Sequence, residues 1–370
     1  MRESAPPVGP RRLFAIATVL LSTCVASAVG VGGYRLVERS SYRLLGTFRQ
    51  LDLMRAYLRD ARIRRFARAL HDTDPRTALF STQWDTNWGV LLSRHMYQTV
   101  TMDGVQKYAY RPNLKKLSFW AGASFQFWKM ETEDTPVMRA AIADLDTQLL
   151  VTASYDEFGF RRTDPDLARD CQSRALFLGD SFTDGVWVGD GDTFANKYAR
   201  LARERSSFTL CPVNAGVNGY GSLEERYTLE HQFEHAGRPS IVFVMYFAND
   251  VDQDHDAVIT GQLRDAARLW QESLAQLDKM KRFADEHQVR LVLAAIPPRE
   301  QILDKVPQTY YQDILRDFCE RDGITFVNLF EGLVSHGLQG LYLDGDPHFT
   351  PLGHQVVAEL LYDATKGLLK

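Results

Sequence analysis

The sequence predicts an α/β fold: a three-layer α/β/α domain with a parallel sheet, preceded by a helical and β-rich elaboration and a transmembrane helix. Two observations carry the sheet. From Cys171 onward, strand-like apolar runs alternate with helical patterns. Near-continuous apolar strands separated by helices imply a parallel sheet buried on both faces, and the crossover rule makes it doubly wound. A third observation bears on chemistry. The segments after the strands are polar and glycine-rich, and in such sheets ligands bind beyond the strand C-termini.

Taken in chain order, residues 1–12 read as a tail. Residues 13–34 form an uncharged run of 22, about 33 Å as a helix and sufficient to span a bilayer. An uncleaved anchor is the favoured reading, because the run is long for a signal peptide. An A-x-A site at 26–28 behind Arg11 and Arg12 keeps a cleaved signal open, as a degenerate twin-arginine signal does. Arginines flank the run on both sides, so charge counting does not set its orientation. Residues 35–79 hold an arginine-rich amphipathic helix, with Leu44, Phe48, Leu51, Met54 and Leu58 at helical spacing. Packing on the main domain is the plainer use of that helix, and lying on anionic lipid the sharper one.

Residues 80–165 read as a small β-rich elaboration of short aromatic runs broken by Pro, Gly and Asn. Its tryptophans (Trp84, Trp88, Trp120 and Trp128) could stack on sugar rings, but core filling is their commoner use. Residues 166–370 form the main domain. Strands are expected at 174–179, 207–213, 240–247, 289–296 and 324–329. Helices are expected near 192–204, 222–236, 264–287, 308–321 and 351–367.

Composition excludes several functions. A net charge of −4 gives no drive toward nucleic acid. No C-x-x-C, P-loop or metal-binding histidine spacing occurs, and the acidic run 250–256 lacks the glycine and final acid of an EF-hand. Neither metal nor organic cofactor is expected. Cys171 and Cys211 fall on or near neighbouring predicted strands, where both a disulfide and a pair of buried thiols are compatible with the sequence.

The strand ends carry the chemistry. The first runs into GDSFTDG with Ser181, the second into NAGVNGYGS, the third into FANDVD with Asn249, and DGDPHFTPLGH with His348 precedes the last helix. Each alone is an ordinary turn or cap. Together they supply a nucleophile, a base, a carboxylate and hydrogen-bond donors at one sheet edge, the requirements of acyl transfer. GDSFT is not the G-x-S-x-G elbow, because Thr183 occupies the second glycine position.

These four blocks, in this order over roughly 171–367, resemble the SGNH or GDSL-type hydrolases. The resemblance implies a flavodoxin-like fold and no metal. It implies Ser181 as nucleophile and His348 as general base. Oxyanion donors would be the Ser181 N–H, Gly219 and the Asn249 side chain. The substrate would be an acylated small molecule, sugar, lipid or glycan. Two departures stand out. Phe247 replaces a glycine of the third block, which is expected to reshape the wall beside the oxyanion hole. Gly345 stands where the family's aspartate usually lies, leaving Asp346 as the expected partner of His348 and Asp344 as the second choice. The segment 155–161, YDEFGFR, resembles a lead-in of membrane-anchored relatives, to which no catalytic role is given. Export of the catalytic domain on its anchor is the expected localisation, with secretion after cleavage as the alternative. Transfer of the acyl group to a glycan, and glycan binding without catalysis, are the competing functions.

Overall fold

The structure is a computed structural model that describes residues 97–114, 117–120, 128–130, 150–186, 188–252, 254–303, 308–337, 340–343 and 347–369. Residues 1–96 lie outside these, so the apolar run 13–34, the arginine-rich region and Trp84 and Trp88 do too. Among the described residues no helix is long and apolar enough to cross a membrane.

Three sheets are present among the described residues. A hairpin pairs β1 (Tyr97–Met102) with β2 (Val105–Tyr110), register Met102 opposite Val105. Its turn is Asp103-Gly104, both at positive φ (49° and 81°), the conformation that lets a two-residue loop follow the twist of its strands. A second antiparallel sheet has the order β4 (Trp128–Met130), β3 (Leu117–Trp120), β5 (Leu150–Ala153). All five of these strands lie between residues 97 and 153.

The third sheet is parallel and organises the main domain. Its strands are β6 (Ser173–Gly179), β7 (Leu210–Asn214), β8 (Ile241–Tyr246), β9 (Arg290–Ala295) and β10 (Thr325–Asn328). Their order is β10-β9-β8-β6-β7. Numbered from its own first strand, that is the 2-1-3-4-5 order of flavodoxin-like folds. Pro212 removes one N–H from β7, which an edge strand tolerates.

Side chains alternate between two buried faces. On β6, Ala175 and Phe177 join the core with α2 (Phe194–Ser206), α8 (Phe330–His336) and α9 (Pro351–Thr365). Leu176 and Leu178 join the opposite core with α3 (Ser222–Gln232), α5 (Ala266–Glu286) and α7 (Tyr310–Asp322). Both faces being apolar is why the strands read as continuous apolar runs. The short helices α1 (Ser181–Asp184), α4 (His255–Thr260) and α6 (Arg299–Leu303) sit just beyond strand ends or in connections.

Cys171 and Cys211 form a disulfide with Cα atoms 5.5 Å apart, joining the lead-in of β6 to β7. Cys319 is a buried free thiol on α7.

Candidate active site

The switch point of the sheet lies between β6 and β8, whose connections leave in opposite directions and open a crevice. Ser181 follows the end of β6 as the first residue of α1. The Asp180 side chain caps that helix by accepting the Phe182 N–H at 2.9 Å. Ser181 is 7% exposed, so water reaches it from a narrow side.

His348 arrives from the far end of the chain. Residues 341–343 and 348–350 run antiparallel, held by Leu343 N–H to His348 O at 3.0 Å and Thr350 N–H to Leu341 O at 2.9 Å. Thr350 then caps α9, with Pro351 at its first turn. This ribbon brings His348 Nε2 to 2.8 Å from Ser181 Oγ, across 167 residues of sequence. With Nδ1 protonated, Oγ–H donates to Nε2, the direction that proton removal requires. The Phe182 ring lies 5.0 Å from the imidazole. Asp344, Gly345 and Asp346 lie outside the described residues, so the expected partner of His348 and its second choice do too.

The loop after β7 closes the other side. Asn214 donates to the Thr183 carbonyl at 2.6 Å and accepts from the Gly216 N–H at 3.1 Å. Gly216 permits close approach: a Cβ there would stand 2.2 Å from the Asp184 backbone nitrogen. Asn249 follows β8 and donates through Nδ2 to the Tyr220 carbonyl at 3.3 Å. The Asn249 side chain is also a hydrogen-bond partner of the Asp180 carboxylate. Ser181, Gly219, Asn249 and His348 thus all belong to segments that leave the same edge of one sheet, as their order in the chain implies. Phe247 is buried, 4.6 Å from the Phe182 ring and 4.9 Å from the His255 ring.

Several buried ionisable groups lie around Ser181. Burial pushes the Asp180 carboxyl up to about 6, against the opposing pull of the Phe182 N–H and His348. Glu225 and Asp250 are buried beside it, and burial with mutual repulsion holds both well above the carboxylate range. His354 on α9 is buried and accepts the Phe194 N–H through Nδ1 at 3.2 Å. Burial lowers its pKa to about 3, so it stays neutral.

The comparisons with known proteins bear on the same segment. Residues 177–356 match the GDSL-like Lipase/Acylhydrolase family. This chain carries a GDSL-like acylhydrolase domain and is an ester-hydrolysing serine hydrolase. No curated protein matches it. Solved structures similar to the chain include LAE5, described as an α/β hydrolase enzyme from the metagenome of Lake Arreo, Spain. It has 20% identity and a TM-score of 0.43, over 55% of this chain and 99% of that one. A lipase/acylhydrolase from Enterococcus faecalis has 16% identity and a TM-score of 0.43, over 54% and 98%. A mutant of an acetyl-xylooligosaccharide esterase from Geobacillus Stearmophilus has 18% identity and a TM-score of 0.40, over 53% and 95%.

The GDSL-like domain also draws on residues upstream of the matched segment. Arg161, in the YDEFGFR run, is fully buried behind α1. Its guanidinium donates to the carbonyls of Asp184 (2.9 Å), Gly185 (3.3 Å) and Val188 (2.6 Å) and to the Asp190 carboxylate (2.8 Å). Burial works against its charge, and Tyr155, Asp184 and Asp190 more than offset that, so its pKa is raised. The hydroxyls of Tyr155 and Tyr110 reach the Asp184 carboxylate at 2.9 and 3.2 Å. The guanidinium supplies donors to carbonyls at and just beyond the C-terminal end of a four-residue helix, the partners that so short a helix lacks. An arginine flanked by aromatics, glycine and acids was the one signal in the sequence for this support.

Proposed function

We propose that the domain hydrolyses acyl esters of a carbohydrate or glycolipid, acetyl being the favoured group, by a metal-independent acyl-enzyme mechanism. The contact of 2.8 Å between Ser181 Oγ and His348 Nε2 carries this reading. In the proposed reaction His348 takes the Ser181 proton as Oγ attacks the ester carbonyl. In this reading the oxyanion is held by the Ser181 and Gly219 N–H groups and the Asn249 amide. His348 then protonates the leaving alcohol, and water, activated in the same way, releases the acid. Asp346, or Asp344 in second place, would fix the imidazole tautomer.

Anchoring through residues 13–34 with the domain outside the cytoplasm is the localisation we propose with it. The Cys171–Cys211 disulfide supports export, since such bonds persist in oxidising compartments.

The test is turnover of p-nitrophenyl acetate and of acetylated oligosaccharides by the full chain and by Ser181→Ala, with fluorophosphonate labelling alongside. Loss of the nucleophile should lower kcat by at least about 10⁴-fold and abolish labelling. Equal rates in the two proteins would remove Ser181 from the reaction. An added glycan that takes the acetyl group faster than water does would redirect the reading to acyl transfer.

A further inference from the structure

The β1–β2 hairpin lies outside the segment that matches the family, yet it grips the loop that follows β7. Met102 and Tyr110 share a buried cluster with Val217 and Tyr220 of that loop. Lys107 and Asp103 pair with Glu224 and Arg226 on α3. At the tip of this contact stands Tyr108. Its hydroxyl donates to the Asn218 carbonyl at 2.8 Å. Tyr220, on the far side of Gly219, donates its own hydroxyl back to the Tyr108 carbonyl at 2.6 Å. A Cβ on Gly219 would stand 2.7 Å from the Tyr108 hydroxyl oxygen, so phenol and turn are fitted to each other.

Residues 217–220 form a β-turn closed by the Tyr220 N–H on the Val217 carbonyl at 3.0 Å. Gly219 has φ +77°, the value of the third residue of a type II turn. Types I and II differ mainly in which way the central peptide faces, here the peptide joining Asn218 to Gly219. That unit is planar and trans, so the Asn218 C=O and the Gly219 N–H point in opposite directions from one rigid plate. Whatever grips the carbonyl therefore aims the N–H.

We propose that Tyr108 is a positioning residue for catalysis: its hydrogen bond to the Asn218 carbonyl holds the Gly219 N–H in the orientation that meets the oxyanion. The inference rests on the assignment of Gly219 as an oxyanion donor made under Proposed function. Tyr108 acts through the peptide and needs no contact with substrate. Its hydroxyl also polarises the peptide, which strengthens the N–H as a donor. Burial first, then the Glu224 and Asp180 carboxylates, raises the Tyr108 pKa, so the phenol remains a donor through neutral and mildly alkaline pH.

The experiment compares the full chain with Tyr108→Phe and Tyr220→Phe on p-nitrophenyl acetate. Tyr108→Phe keeps the ring and removes one oxygen from a side chain that is 39% exposed. Its kcat should fall about 10- to 100-fold, less than the 10²- to 10³-fold of losing a donor outright. KM should stay within about two-fold, because the ground-state carbonyl draws little on the hole. Tyr220→Phe loosens the hairpin while leaving the Tyr108 hydroxyl in place, and should cost kcat less than about three-fold by the same reasoning. A kcat for Tyr108→Phe within about two-fold of the parent overturns the proposal. So does a loss confined to KM, or an equal kcat loss in Tyr220→Phe, which would assign the effect to docking of the hairpin. A parent chain that neither turns over the ester nor labels at Ser181 would instead sink the esterase reading, a result distinguishable from all of these.

Discussion

Glu225 is the side chain that the fold treats most harshly. It is 1% exposed, and neither of its carboxylate oxygens has a hydrogen-bond partner. Burial and the repulsion of Asp250 and Asp180 hold its pKa well above the ordinary 4.5. The consequence for stability has a definite sign. Below pH about 4.5 the acid is protonated in both folded and unfolded chains and contributes no pH dependence. As pH rises through that value the unfolded chain ionises first, so Glu225 lowers stability progressively until the folded carboxyl ionises too. Each unit of upward shift corresponds to about 1.4 kcal/mol. Glu225→Gln removes the ionisation and relieves Asp250. The variant should match the parent near pH 4.5 and melt higher at pH 8, by about 2–4 °C for each kcal/mol recovered. Thermal melts across that range check it, and a difference that is flat with pH would show that Glu225 does not titrate between the states. Asp180, pushed up to about 6, has the same sign over a narrower window. These acids adjoin the nucleophile loop and Asn249, so the strain is concentrated at the site, where such costs are commonly found.

At the scale of elements, a four-residue helix has to be held by its neighbours. The N-terminal turn of α1 is capped by Asp180, its carbonyl end is gripped by Arg161, and Gly216 of the loop after β7 presses against its middle. A methyl group at position 216 would meet the backbone of Thr183 and Asp184 at 2.6 and 2.2 Å, and backbone cannot rotate away as a side chain can. Gly216→Ala should therefore displace the loop or the helix. It should cost about 1–3 kcal/mol of stability, as overpacking does, and lower kcat with little change in the far-UV spectrum. Urea melts and ester turnover measure both, and a fully active variant would show that the approach is not required. The five sheet strands were legible because each is apolar on both faces, and the five long helices because they are periodic over three turns or more. Helices α4, α6 and α8 were not, since five to seven residues hold too little periodicity to read. Ser181 and Asn249 were legible as candidates by their place after predicted strands and His348 by its place before the last helix, although the 2.8 Å contact between Ser181 and His348 needs the ribbon geometry. Tyr108 was not, because its partner is 110 residues away. The Asp103-Gly104 turn between two alternating runs was the available signal that would have placed it on a hairpin.

At the scale of the whole molecule, the proposed export of the domain has a chemical readout in the disulfide. Cys171 and Cys211 are 40 residues apart in sequence. Closing such a loop removes disorder from the unfolded chain and stabilises the fold by about 2–4 kcal/mol. The bond joins β7, an edge strand, to the lead-in of β6, so it fastens the sheet next to the loop that bears Gly216 and Gly219. Cys319 serves as an internal reference: it is buried, and burial pushes its thiol up to about 12, so it does not react in the folded protein. Membranes from cells that make the full chain should be treated with an alkylating maleimide before and after reduction. An exported domain predicts Cys171, which is half-buried, unlabelled before reduction and labelled after it, while Cys211, buried like Cys319, stays unlabelled in the folded protein. It also predicts a reduced protein that unfolds at lower urea, by an amount equal to those few kcal/mol divided by the urea slope. A domain kept on the cytoplasmic side would hold both thiols reduced. Labelling of Cys171 in freshly isolated, unreduced membranes would therefore refute export, while leaving the proposed Ser181–His348 chemistry untouched, because that contact is set by β6 and by residues 341–343 and 348–350 rather than by the bond.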